Sequence, residues 1–188
     1  MDARGSDNEV SDGASPANDR LSWQHRILYG MGYLSIALTT DMTLAWLMKR
    51  YRPDPADIRW NVLASAGAFA AAMVVGRVVD AVADPLVGFW SDRVRTRWGR
   101  RKPFILLGAP LLALTFVLIW TPPTPTQSLL NGVYLAVIAS VFLFAFTVVV
   151  CPYLAMLPEI AADPTERVRL TACQGAFNIV GAVGGMVL

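Results

Sequence analysis

Five apolar stretches, each close to twenty residues or longer, recur between Ile27 and Leu188, with polar or proline-rich segments between them. Around twenty apolar residues suffice for a helix to cross the hydrocarbon of a bilayer. The recurrence therefore predicts an all-α membrane protein with about five transmembrane helices. Composition agrees. Hydrophobic residues make up 55% of the chain and charged residues only 16%, where a soluble domain carries about a quarter charged residues.

The first span is expected over Ile27–Met48 and the second over Asn61–Trp90. The third follows Pro103 and ends near Trp120, where Thr121-Pro-Pro-Thr-Pro makes a rigid turn. The fourth covers Leu129–Cys151, with Pro152 and Pro158 bending or ending it. The fifth starts near Val168 and is still apolar at Leu188. Residues 1–24, rich in Asp, Ser, Gly and Asn, are expected to be a disordered tail. They lack the basic-then-apolar layout of a signal peptide, so the first span reads as an uncleaved anchor. An odd number of spans that stops in mid-helix reads as the front part of a longer protein.

Basic residues set the expected orientation. The Asp92–Lys102 loop carries Arg93, Arg95, Arg97, Arg100, Arg101 and Lys102, while the Thr121–Ser128 loop has no Lys or Arg. A basic run of this kind suits nucleic acid in other contexts. Between two apolar spans it reads as a cytoplasmic loop, which places the N-terminus inside, most simply in a plasma (inner) membrane.

Arg77, Asp80 and Asp84 break the apolar pattern of the second span. Each costs about 2.5–3.5 kcal/mol at mid-membrane, roughly 8–10 kcal/mol together before any pairing. On a helix Asp80 and Asp84 share one face, about 6 Å apart along the axis. Arg77 is close enough to neutralise one of them. One negative charge then remains, which a proton or small cation balances. The alternative reading of the trio is a structural charge cluster that locks two helices together. Asp41 in the first span also has two readings, a solute-binding carboxylate or an interfacial group paired with Lys49 or Arg50. Tyr29, Tyr33, Trp46 and Tyr153 either line a polar cavity or pack as interfacial aromatics.

Cys151 and Cys173 show neither metal spacing nor a disulfide framework, and packing explains them. His25 reads as a solvated interfacial side chain. The chain has no nucleophile–base arrangement, phosphate loop or metal-ligand spacing that would point to an enzyme.

The stretch Arg77-Val-Val-Asp80-Ala-Val-Ala-Asp84-Pro85-Leu-Val-Gly88-Phe-Trp-Ser-Asp92-Arg93 continues to Trp98-Gly99-Arg100-Arg101-Lys102-Pro103. It closely resembles the glycoside–pentoside–hexuronide:cation symporters of the major facilitator superfamily, the melibiose permease group. Further matches are Pro152-Tyr153 to Leu157-Pro158-Glu159, followed by Asp163 and Glu166-Arg167, and Tyr29-Gly30-Met31-Gly32. The resemblance covers residues 27 to 188. It implies twelve spans in two six-helix halves, alternating access and a midplane site, with this chain supplying most of the amino-terminal half.

Carried onto matching positions, the resemblance makes Asp80, Asp84 and Thr147 cation-binding residues, with Arg77 balancing charge. Gly88, Asp92, Arg93, Gly99 and Arg100 correspond to the cytoplasmic gate motif, in which Gly88 lets another helix approach closely. Asp41, Tyr33, Tyr153 and Gln174 are the candidate solute contacts. No cofactor is implied beyond a coupling ion, proton or sodium. The expected partners are a small solute, that cation, the bilayer and a carboxy-terminal half, with no nucleic acid. The departures narrow the expectation. Ala37, Val150, Leu154 and Gln174 replace an aspartate, an aspartate, a tryptophan and an arginine of the melibiose-type sugar site. Ala83 replaces an asparagine that helps bind sodium, which raises the proton as coupling ion. The implied function is cation-coupled symport of a sugar or glycoside. Lysolipid carriers share the second-helix motif, and the sucrose branch shares Arg100-Arg101-Lys102-Pro103-Phe104. The alternatives are an amphipathic or other non-sugar cargo, or a truncated membrane protein that transports nothing.

Overall fold

A computed structural model describes residues 22–54, 60–94, 96–97, 101–161 and 163–187. Among these described residues six helices follow in order: α1 (Trp23–Tyr51), α2 (Ala66–Arg93), α3 (Lys102–Ile119), α4 (Leu129–Ala155), the short α5 (Leu157–Ile160) and α6 (Pro164–Val187). Among the described residues three segments are long and apolar enough to cross a membrane: Ala66–Arg93, Lys102–Ile119 and Leu129–Ile160. Helices α1 and α6 have 29 and 24 residues and the length to span, but carry more polar and charged side chains.

Several boundaries differ from the sequence expectation for local reasons. Helix α1 begins at Trp23, inside the stretch assigned to the tail, whose residues 1–21 lie outside the described set. Helix α2 begins at Ala66 rather than Asn61, because Ser65 caps it by accepting a hydrogen bond from the Ala68 N–H at 3.2 Å. The residues just before it are held in the connection instead, where Leu63 N–H donates to the Tyr51 carbonyl at 3.0 Å. Helix α4 runs through Pro152 to Ala155. Spanning helices tolerate such prolines because neighbouring groups re-satisfy the freed carbonyl. Helix α6 begins four residues before Val168, at Pro164, whose missing N–H costs nothing in a first helical turn.

The helices pack as two sets. Helix α4 carries α2 and α3 on its flanks, and α1 runs along α6. The α1–α6 seam is tight: a Cβ on Gly181 would stand 2.7 Å from the Ala37 Cβ and 3.0 Å from the Leu34 carbonyl oxygen. Small residues at such a seam let two backbones approach where lipid supplies no hydrophobic drive.

Two struts join the sets. At one end Tyr51 is fully buried and donates its hydroxyl to the Ile119 carbonyl at 3.0 Å. Around it Leu47, Leu63, Ile119, Leu135 and Phe142 form the main core. Asn131, also buried, fixes this end. Its amide nitrogen lies 3.0–3.1 Å from the carbonyls of Leu63, Thr124 and Thr126, and its oxygen accepts from Thr124. At the other end, which bears the basic loop, Tyr29 and Tyr153 stack with ring centroids 4.8 Å apart. Each donates its hydroxyl to the other's backbone carbonyl. Gly32 makes room for this strut, since a Cβ there would lie 2.8 Å from the Tyr153 ring. Between the struts the two sets part around a cavity of about 960 Å³.

Candidate ion and solute site

Helices α1, α2 and α4 line the cavity, and the charged trio of α2 faces it. Thr147 of α4 lies buried opposite. Its Oγ1 is 3.2 Å from Asp80 Oδ1 and 3.2 Å from Asp84 Oδ1. A hydroxyl has one proton. It therefore donates to one of the two carboxyl groups or shares its proton between them. Arg77 Nη1 lies 3.5 Å from Asp80 Oδ2, on the following turn. That guanidinium is 62% exposed, so the pair is loose and worth little by itself. Among the described residues Asp84 makes no ion pair. Ala83 is buried and brings no side-chain oxygen. No group of three or more His, Cys, Asp or Glu side chains able to hold a metal occurs among the described residues. The oxygens available are those of two carboxylates and one hydroxyl, a set suited to a proton or a weakly held monovalent cation.

The remaining wall is mostly apolar. Phe69, Met73, Phe142, Phe146, Val150 and Leu154 line it, with hydroxyls from Thr40 and Thr43. The two positions where the resemblance expects an aspartate and a tryptophan, Val150 and Leu154, thus face the cavity.

The candidate solute contacts Asp41, Tyr33, Tyr153 and Gln174 are placed outside the residues that line this cavity. Ala37 is buried against Gly181, so its position faces α6 and not the cavity. Asp41, one turn on, meets α6 at Gly185, where an added Cβ would lie 3.3 Å from its own. Its sequence-suggested partners are drawn to aromatic rings: the Lys49 ammonium lies 4.7 Å from the centroid of Trp46, and the Arg50 guanidinium 5.1 Å from that of Trp60. Tyr153 is committed to the strut with Tyr29. Tyr33 and Gln174 lie beside Tyr153 and do not line the cavity. Gln174 is buried beside Tyr29 and Tyr153.

At the basic-loop end the expected gate residues divide. Gly99 and Arg100 lie outside the described residues. Gly88 faces α4 loosely: a Cβ there would meet Cys151 Sγ at 3.9 Å, an ordinary contact, so close approach does not require this glycine. The guanidinium of Arg93 sits over the Phe89 ring at 3.7 Å.

The centre of this end is Arg101, which the sequence reading placed in the basic loop but not among the gate residues. Its side chain is 12% exposed and lies 3.5 Å from Asp92 Oδ1 and 3.4 Å from Glu159 Oε1. It also donates to the Ala155 carbonyl. One arginine thus ties the ends of α2 and α4 and the short α5 to the start of α3. A second tie joins α1 to α6, where Arg26 Nη2 lies 2.8 Å from the buried Glu166 carboxylate. Both were present in the sequence as ordinary members of charged loops. Only the packing of four chain-distant segments distinguishes them.

The described residues form an α-helical bundle with segments apolar enough to span a membrane and a cavity that acidic groups face. The family model for MFS/sugar transport proteins matches residues 57–188, and the chain belongs to that family. It is an integral membrane protein of the major facilitator superfamily. Among its relatives, the inner membrane symporter YicJ of Escherichia coli is 32% identical over 89% of the chain. The glucuronide carrier protein homolog of Escherichia coli is 29% identical over 84% of it. The sodium-dependent lysophosphatidylcholine symporter 1 of Gallus gallus is 27% identical over 92%. The chain spans about a third of the length of these relatives, namely 34%, 33% and 31%.

Proposed function

We propose that this chain is the amino-terminal part of a cation-coupled symporter that works by alternating access. The observation that carries the reading is the position of Thr147 Oγ1, 3.2 Å from both Asp80 Oδ1 and Asp84 Oδ1, on the wall of the cavity. Ion or proton binding there removes a charge that is costly in a low-dielectric setting. An ion bound at Asp80 and Asp84 then favours solute binding, and that mutual preference couples the two. The coupling ion is a proton or sodium, and the missing oxygen at Ala83 favours the proton. The chain acts as a carrier and not an enzyme. It sits in the inner membrane with its N-terminus in the cytoplasm, and a carboxy-terminal half completes the pathway.

The proposed cargo is a sugar or glycoside, in keeping with the family description and with a relative named as a glucuronide carrier. One observation favours a second cargo. The wall around Phe142, Phe146, Val150 and Leu154 offers a sugar few hydrogen-bond partners, and each buried hydroxyl left unpaired costs about 1–3 kcal/mol. An amphipathic solute would gain roughly 25 cal/mol for each Å² buried on the same wall. A relative is named for lysophosphatidylcholine.

Uptake by the full-length protein in proteoliposomes tests both readings, with sodium and proton gradients imposed separately. Methyl and octyl glycosides and a lysolipid are offered in turn. Accumulation driven by either gradient supports symport, and the accepted solute decides the cargo. Equal uptake with and without gradients overturns coupling.

A further inference from the structure

Helix α1 brings hydroxyls rather than charge to the cavity. Among the described residues, its contribution to the wall is Thr40, Thr43, Leu47 and Met48. Their spacing keeps them on one side of the helix, while Ala37 and Asp41 lie against α6. The helix itself settles where each threonine proton goes. Thr40 Oγ1 donates to the Ile36 carbonyl at 2.9 Å, and Thr43 Oγ1 donates to the Thr39 carbonyl at 2.7 Å. Such bonds to the preceding turn are a common way for threonine to satisfy its proton inside a helix. A hydroxyl also has two lone pairs. What both threonines have left for the cavity is therefore acceptor capacity.

The other polar groups of the wall share this bias. Asp80 and Asp84 are acceptors as carboxylates, and the Thr147 proton is directed to them. Arg77 is the one charged donor among the described lining residues, and it leans on Asp80 at 3.5 Å. A solute held here must bring its own donors. Sugar hydroxyls suit neutral threonine oxygens, and they leave the charge balance of the α2 trio to the coupling ion. Thr40 and Thr43 are three residues apart, about 4.5 Å along the axis, a separation that one pyranose ring spans.

We propose that Thr40 and Thr43 are specificity-determining residues, whose oxygens accept hydrogen bonds from ring hydroxyls of a glycoside. The proposal rests on the reading of the chain as part of a glycoside carrier. The solute contacts of α1 then lie on the threonine side of the helix rather than at Ala37 or Asp41.

The test measures uptake of methyl and phenyl β-glucosides and β-galactosides by the full-length protein in proteoliposomes. Monodeoxy forms of whichever glycoside is taken up follow. Thr40→Val and Thr43→Val keep the shape and remove the oxygen. Each is expected to raise the glycoside KM about three- to tenfold, with the maximal rate and the cation KM unchanged. Thr39→Val, at a side chain that does not line the cavity, should leave the KM alone. One monodeoxy glycoside should be weakened on the parent by the same factor and lose nothing further on the matching valine variant, the signature of a direct contact. Saturable uptake with a parental KM in both valine variants overturns the proposal and leaves the carrier reading standing. If a valine variant does not reach the membrane, the monodeoxy series on the parent decides, and equal KM values throughout overturn the proposal. A parent that takes up none of the glycosides under either gradient removes the cargo reading and the proposal with it.

Discussion

Ala37 and Gly181 touch almost backbone to backbone. A Cβ on Gly181 would fall 2.7 Å from the Ala37 Cβ, closer than real Cβ atoms come to one another. The position expected to carry a solute-binding aspartate is thus spent on holding α1 to α6. Gly181→Leu must push the two helices apart, at about 1–3 kcal/mol for overpacking. Thermal unfolding in detergent is expected several degrees below the parent, with Ala182→Leu, a partly exposed neighbour, as the milder control.

Asp41 follows Ala37 by one turn and meets Gly185 of α6. Asp41→Asn is therefore expected to leave solute affinity unchanged in uptake assays. A tenfold rise in KM, about 1.4 kcal/mol, would return Asp41 to the solute site.

Thr147 serves two carboxylates with a single proton. Hydrogen bonds to charged groups contribute about 1.5–3 kcal/mol, so Thr147→Ala should raise the KM for the coupling cation about tenfold or more. Thr147→Ser keeps the hydroxyl and should stay near the parent. Asp80→Asn and Asp84→Asn should each abolish gradient-driven uptake while the protein still reaches the membrane, and normal accumulation in both would remove the coupling role.

Tyr51 closes the far strut through its bond to the Ile119 carbonyl. Tyr51→Phe keeps the ring but leaves that carbonyl without the hydroxyl in a buried setting. The expected loss is about 1–3 kcal/mol, read as a lower midpoint in thermal or denaturant unfolding.

Arg101 binds two carboxylates and a carbonyl at once, and a lysine ammonium cannot reproduce that planar fork. Arg101→Lys and Arg101→Ala should both loosen the basic-loop end. Faster passive solute equilibration in proteoliposomes without an imposed gradient would show it. Arg93→Ala, which removes the contact with Phe89, should have a smaller effect.

Much of this molecule was legible in the chain itself. Runs of apolar residues near Phe104–Ile119 and Leu129–Cys151 specify helices, because in lipid the backbone must satisfy itself. The spacing of Asp80 and Asp84 placed them on one face, because helical periodicity is local. The start of α2 was misread by five residues, because Ser65 competes as a cap with an apolar stretch that continues through it.

What the sequence determined by itself is the class of fold, the charged face of α2 and the family, since each depends on local periodicity or contiguous motif. The tertiary structure alone decided which residues meet. It brought Thr147 to both aspartates, turned Ala37 and Asp41 toward α6, and made Arg101 the centre of the basic-loop end. These are contacts between segments far apart in the chain. They depend on how close small residues such as Gly181 and Gly32 let the helices come, and no local pattern encodes that distance.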